Sequence, residues 1–223
     1  ATPTPTATTE APATQAVATT PAPEATADAD PGSGPDLAAL FAEAQNDIAF
    51  GRYAEAIETL DTIMGLDPTY QPQIVRDAMG TALTRHAANL FNDLDSIAEA
   101  IYYTNWAESL GVPIGELDYE RLVGGYYLDA ETSSGLGDYQ ASINAWQQLL
   151  QYQATYKGID VNRRLFRQYV NWGEAWLIAG QPCQAAVQFI NALNLFADAT
   201  VRSQRDAAQT TCEQQQTATA QPG

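Results

Sequence analysis

Residues 169–193 read Tyr169-Val170-Asn171-Trp172-Gly173-Glu174-Ala175-Trp176-Leu177-Ile178-Ala179-Gly180-Gln181-Pro182-Cys183-Gln184-Ala185-Ala186-Val187-Gln188-Phe189-Ile190-Asn191-Ala192-Leu193. Two helical patterns meet at Gly180-Gln181-Pro182. The first carries Tyr169, Trp172 and Trp176, and the second carries Ala186, Phe189, Ile190 and Leu193. Small residues such as Gly173 and Ala185 let two helices approach closely, while Trp172 and Phe189 fill the space beside them. The stretch therefore predicts an antiparallel helical hairpin.

The same punctuation recurs upstream. Gly137-Asp138-Tyr139 introduces Ile143, Trp146, Leu149 and Leu150. Gly51-Arg52-Tyr53 separates the stripe Leu37, Leu40, Phe41, Ala44, Ile48, with Asp36 as its N-cap, from Ala56, Ile57, Leu60, Ile63 and Met64, which end at Leu66-Asp67-Pro68. The three glycines stand 86 and 43 residues apart. Because the longer gap is twice the shorter, a further turn is expected near residue 94. Asn92-Asp93-Leu94-Asp95 stands there, followed by Ile97, Ala100, Ile101 and Trp106. Four helix-turn-helix units with a period near 43 account for residues 36–196.

The chain resembles the tetratricopeptide repeat (TPR) family. The last unit carries Tyr169, Trp172-Gly173, Trp176, Gly180, Ala185, Phe189 and Ala192 at the spacing of that family's large-small-large code. The first matches with Ala44, Gly51-Arg52-Tyr53, Ala56, Leu60 and Pro68, and the third with Tyr126, Ala130, Gly137-Asp138-Tyr139 and Trp146. The second rests on the period. The family's usual period is about 34 residues, so longer helices or inserted connections are expected. The resemblance implies an all-α fold: a right-handed α-solenoid of about four TPR-like repeats plus a C-terminal capping helix, preceded by an extended arm. The expected boundaries are an arm at 1–35, a repeat domain at 36–216 and a frayed tail at 217–223.

The capping helix is expected at about 198–215, with Val201, Ala208 and Cys212 on one side and few large apolar residues, as suits an outer face that meets water. Residues facing each other across an antiparallel hairpin are equidistant from its turn. Cys183 and Cys212 are centred on Ala197-Asp198, within the predicted turn, and they are the chain's two cysteines. A disulfide between them would pin the cap to the last repeat, contributing ~3.6 kcal/mol on the chain-entropy estimate. It implies an oxidising, extracytoplasmic compartment: secreted, cell-surface or periplasmic.

Residues 1–35 are a different material, with nine Thr, seven Pro, ten Ala, four acids and no Lys or Arg. Such a segment cannot bury enough apolar surface to fold alone and is expected to be extended or disordered, biased toward polyproline II. It reads as a solvated linker, with an O-glycosylated spacer or an arm docking into a neighbouring copy as alternatives. The chain opens on Ala1 and is expected to be a processed form or a fragment.

The 223 residues carry a formal charge of −17, which argues against nucleic acid. One histidine and one lysine leave little for a histidine triad, a multi-histidine metal site or a Schiff base. His86 reads as a surface or packed residue, while Glu116, Asp118, Glu120, Asp93 and Asp95 read as helix caps rather than calcium ligands. No GxGxxG, P-loop, HExxH or GxSxG occurs. No catalytic constellation, cofactor or metal is expected, and no apolar run is long enough for a transmembrane segment.

Contact surfaces are the remaining candidates. The repeat register turns Phe41, Gln45, Ile48, Tyr127, Glu131, Arg167, Val170 and Glu174 toward an inner, aromatic and mildly acidic groove suited to a peptide with apolar anchors. Lys157, Arg163, Arg164 and Arg167 form a basic patch against Asp160 alone, a docking surface for an acidic partner or for the acidic half of another copy. Two readings follow from these surfaces: a non-catalytic exported scaffold that binds protein through its groove, and a self-assembling subunit of an extracellular fibre. A third, a sugar-binding module built on Trp106, Trp146, Trp172 and Trp176, has the least support, because most of those positions fall on core-facing stripes.

Overall fold

A computed structural model describes residues 34–220, with side chains as far as residue 218. The expected arm lies outside the described residues except for Gly34 and Pro35, and so does the end of the tail, 221–223. From Asp36 onward the chain is one compact unit. Its helices are α1 (Leu37–Ala49), α2 (Tyr53–Leu66), α3 (Pro72–Leu90), α4 (Ile97–Ser109), α5 (Leu117–Gly135), α6 (Tyr139–Tyr152), α7 (Val161–Ile178), α8 (Pro182–Leu195) and α9 (Ala199–Ala220). A 3-10 turn, Leu94–Ser96, stands before α4. Each helix packs against the next in sequence, and α3 also touches α1 and α5.

The turns follow from local chemistry. Gly51, Gly137 and Gly180 hold φ of +77°, +75° and +70°, a left-handed backbone that suits glycine, after α1, α5 and α7. Asp36 and Asp138 then cap α1 and α6, each accepting a backbone N–H at 3.0 Å through its carboxylate. The turn expected near residue 94 is also present, but it uses a different device. There Asp93 accepts the Ser96 hydroxyl at 2.9 Å and Phe91 is buried. The α1–α2 turn has an additional clamp: Arg52 donates from Nε to the Asp47 carboxylate at 2.8 Å and from its backbone N–H to the Asp47 carbonyl at 2.8 Å.

Apolar packing is continuous along the helices. Phe41, Ile57, Leu60, Val75, Met79 and Leu83 join α1–α3. Phe91, Ile97, Val123, Ile143, Trp146, Leu149 and Leu165 form the middle. Ala185, Phe189, Ala192, Val201 and Ala208 join α8 and α9, with Tyr169 and Trp176 of α7 against them. A Cβ on Gly173 would sit 2.6 Å from the Phe189 ring, so α7 and α8 approach as closely as they do because residue 173 has no side chain. Trp146 is fully buried, so it cannot serve as a platform for a sugar, and the indole N–H of Trp176 has no solvent access.

Two features differ from expectation, and a third meets it. A two-residue antiparallel pair, β1 (Thr155–Tyr156) and β2 (Ile159–Asp160), precedes α7. Lys157 and Gly158 turn between the strands with φ of +45° and +82°, the signs of a type I′ hairpin. Capping helix α9 runs to Ala220, well past the stop expected near residue 215, so residues 217–220 of the expected frayed tail are helical. Thr217 helps to continue it by donating its hydroxyl to the Glu213 carbonyl at 3.1 Å. Finally, α3 and α5, at 19 residues each, are longer than α2 and α6 at 14, and long connections flank α4, which accounts for the extended period.

Cys183 and Cys212 are joined, with their Cα atoms 4.9 Å apart. Among its described side chains, α9 buries only Val201 and Ala208, both N-terminal to Cys212. The bridge therefore carries the hold on its second half. Cys212→Ser is expected to remove hydrogen-exchange protection from α9 beyond residue 208 while leaving α1–α6 protected; unchanged protection in α9 would refute this. Gly173→Val is expected to cost at least about 2 kcal/mol, because the buried Phe189 ring must shift, and calorimetry should show a lower Tm.

Candidate protein-binding groove

Helices α1 and α3, brought side by side by the intervening α2, leave a cleft between them. Phe41, Gln45 and Ile48 line one wall, and Ile74, Asp77, Ala78 and Thr81 line the other, around a volume of about 370 Å³. Phe41, only 7% exposed, is part of the floor and rests edge-on against Tyr70. Ile74 is 52% exposed on the opposite wall. Among the described residues Asp77 is the only ionisable group lining the cleft and has no ion-pair partner; it accepts the Gln73 amide at 2.8 Å. Three of the eight predicted groove residues meet here. The four contributed by α3 were missed, although one signal was legible: Ile74, Ala78 and Thr81 recur at helical spacing just off the core stripe of Val75, Met79, Ala82 and Leu83.

Four of the other five are spent on packing and pairing. Tyr127 is half-buried, its ring 6.0 Å from Trp146 and 5.4 Å from Tyr156. Glu131 pairs with Arg164 at 3.3 Å, joining α5 to α7, where Gln168 also donates to the Ser134 hydroxyl at 2.7 Å. Val170 packs against the α8–α9 cluster. Glu174 accepts the Gln204 amide at 2.9 Å, joining α7 to α9. Arg167 is exposed on α7.

The basic patch is likewise dispersed. Lys157 lies 3.4 Å from the Glu120 carboxylate and 5.3 Å from the centre of the Tyr156 ring. Arg163 stacks over Phe196 at 5.3 Å, and Arg164 is engaged by Glu131. Arg167 alone of the four has no salt bridge or ring contact among the described residues. Three of the four are thus engaged by separate local partners.

The remaining candidates fall into structural roles. His86 lies edge-on to Tyr103, with ring centres 4.6 Å apart. Asp118 pairs with Arg121 at 3.0 Å, and the same guanidinium bonds Glu108, holding that carboxyl below the usual range. Among the described residues, no three His, Cys, Asp or Glu side chains converge as metal ligands, and no helix is long and apolar enough to cross a membrane.

Beneath Tyr127 lies Tyr156, 1% exposed, whose hydroxyl has no hydrogen-bond partner among the described residues. Burial, followed by the nearby Glu120 charge, pushes its phenol above the usual tyrosine range; burial also raises Tyr103, Tyr127 and Tyr169. Below about pH 10 these phenols keep their protons in both folded and unfolded chains, so they give no pH dependence. Above that pH the unfolded chain loses protons that the folded chain retains, and stability falls. Tyr156→Phe is expected to be neutral within about 1 kcal/mol at pH 7 and to flatten the alkaline loss. Thermal melts at rising pH that match those of the parent chain would refute it. Comparison with protein-family models and with curated protein sequences finds no match to this chain.

Proposed function

We propose that this chain is a non-catalytic, exported scaffold of about four TPR-like helical hairpins that binds another protein through the α1–α3 cleft. The observation that carries the reading is the cleft itself: a concave trough between two helices that expose aliphatic side chains, Ile74 among them, on its walls. A half-exposed isoleucine beside such a trough offers a docking partner apolar surface to cover. The paired arrangement of α1–α2, α3–α4, α5–α6 and α7–α8 supports the repeat reading, and the Cys183–Cys212 bridge supports export to an oxidising compartment. The Thr-rich arm then serves as a spacer or a carrier of O-glycans.

A second reading, the self-assembling fibre subunit, draws on a different feature. Phe50, Leu136 and Ile178 are 70%, 81% and 89% exposed at the ends of α1, α5 and α7. Such side chains on repeated turns could stack against another copy, and a heterologous contact of that kind propagates.

A photo-crosslinking side chain in place of Gln45, on the cleft rim, is expected to trap a protein from the native extracellular fraction, whereas the same group at Thr210 on α9 traps none. The adduct should disappear when Ile48→Asp is added. Equal adducts at both positions, or an adduct that is only a second copy of the chain, would overturn the scaffold reading.

A further inference from the structure

The charge around the cleft identifies the chemistry of its occupant, an inference that rests on the cleft being the docking site. Helices α1–α3 and the residues joining them, from Asp36 to Leu90, hold eight acidic and three basic side chains. Of the three arginines, Arg52 is taken up by Asp47 across the α1–α2 turn. Arg76 lines the next cleft along α3, with Gly80, Leu110 and Val112. Asp77 and Thr81 line both clefts, but Arg76 is not in the lining of the α1–α3 cleft and forms no ion pair with Asp77 among the described residues. Arg85 lies a further helical turn beyond Thr81. The cleft thus presents an uncompensated carboxylate, Asp77, three residues from the half-exposed Ile74, within a chain of formal charge −17. Residues three apart on a helix are neighbours on one face. An apolar anchor and an anion side by side are complementary to an aliphatic side chain and a cation one helical turn apart.

We propose that the cleft receives the apolar face of a cationic amphipathic helix from another protein, with a Leu- or Ile-sized anchor against Ile74 and Phe41 and a lysine or arginine on Asp77. A helix lies between two helices without leaving its own backbone unpaired, and helix-in-groove docking reads anchors at three- and four-residue spacing. The acidic surface steers a cationic partner from a distance and repels a second copy of this chain, so the charge that selects the one disfavours the other.

The test uses the full chain and two synthetic helical peptides. One has leucines at every third and fourth position with lysines beside them; its twin carries glutamate in place of each lysine. Fluorescence anisotropy is expected to show the lysine peptide binding at least tenfold tighter than its twin. Ile74→Lys should abolish that binding; because Ile74 is half exposed, the substitution leaves the helix itself intact. Asp77→Asn should weaken the lysine peptide about fivefold, while Glu213→Gln, the same loss of charge on α9, leaves it unchanged. If the glutamate twin binds equally well and Ile74→Lys still abolishes it, the cleft stands as a docking site and the cationic assignment falls. If neither peptide responds to Ile74→Lys, both fall. Equal weakening by Glu213→Gln and Asp77→Asn would reduce the attraction to net charge and overturn the proposal. So would a dimer, seen by light scattering of the chain alone, that Ile74→Lys dissolves.

Discussion

Sequential contact between neighbouring helices is the constraint on which this structure depends. Almost every interhelical surface is made between a helix and the one that follows it, so each segment buries its apolar stripe within a few dozen residues of chain. Close approach is the condition for that burial. Where α7 meets α8, the absence of a side chain at Gly173 admits the Phe189 ring, and a bulkier residue would force the helices apart. The same logic applies at Gly124, where a Cβ would lie 2.9 Å from Ile97. The Ser142 hydroxyl, fully buried between α5 and α6, is tied to the backbone: it donates to the Ala130 carbonyl at 2.8 Å.

A stack built this way has ends, and the two ends are treated differently. At the C-terminal end α9 turns outward a face of Arg202, Asp206, Gln209, Thr210 and Glu213, with no large apolar residue on it, and the disulfide fastens it down. Its short apolar contact would be a weak hold for a helix of 22 residues, and a covalent tie offsets that deficit. At the N-terminal end no comparable polar helix covers α1 among the described residues. The cleft lies at that end, between α1 and α3, with Ile74 half exposed on its wall.

The parts of the fold legible in the sequence were those set by local chemistry. A left-handed residue after a helix is nearly always glycine, so Gly51, Gly137 and Gly180 were visible as turns, and their spacing exposed the fourth turn near Leu94 even though it contains no glycine. The cysteine pair was legible because hairpin symmetry is a property of numbering. The groove was legible only where it depends on a single helix: Phe41, Gln45 and Ile48 share a face of α1 and do line a cleft. Its other wall depends on how α3 is rotated against α1 across an intervening helix, which no local pattern encodes. Tyr127 was misplaced for the same reason. Its position on the stripe is correct, but Trp146 and Tyr156 fill the space beneath and hold the ring in packing. The short Thr155–Asp160 hairpin was hidden because Lys157, rather than asparagine or aspartate, occupies the first left-handed position before Gly158.

Charge at this surface is sorted by pairing more than by count. Most of the basic residues in the second half already face a carboxylate or an aromatic ring: Arg121 meets Glu108 and Asp118, Lys157 meets Glu120, Arg164 meets Glu131 and Arg163 meets Phe196. Within the run 157–167, Lys157 and Arg164 are thus matched by carboxylates, while Arg163 rests on a ring and Arg167 stays exposed. The acids of α1–α3 outnumber their local cations, so their field extends into solvent until a partner or counter-ions meet it. An unpaired charge at the surface costs the folded chain little, because water solvates it, yet it becomes expensive when a docking apolar face excludes that water. Asp77 beside Ile74 is placed where that expense would fall, so a neutral or acidic helix covering Ile74 would strand the carboxylate, and only a guest bringing its own cation covers both at once.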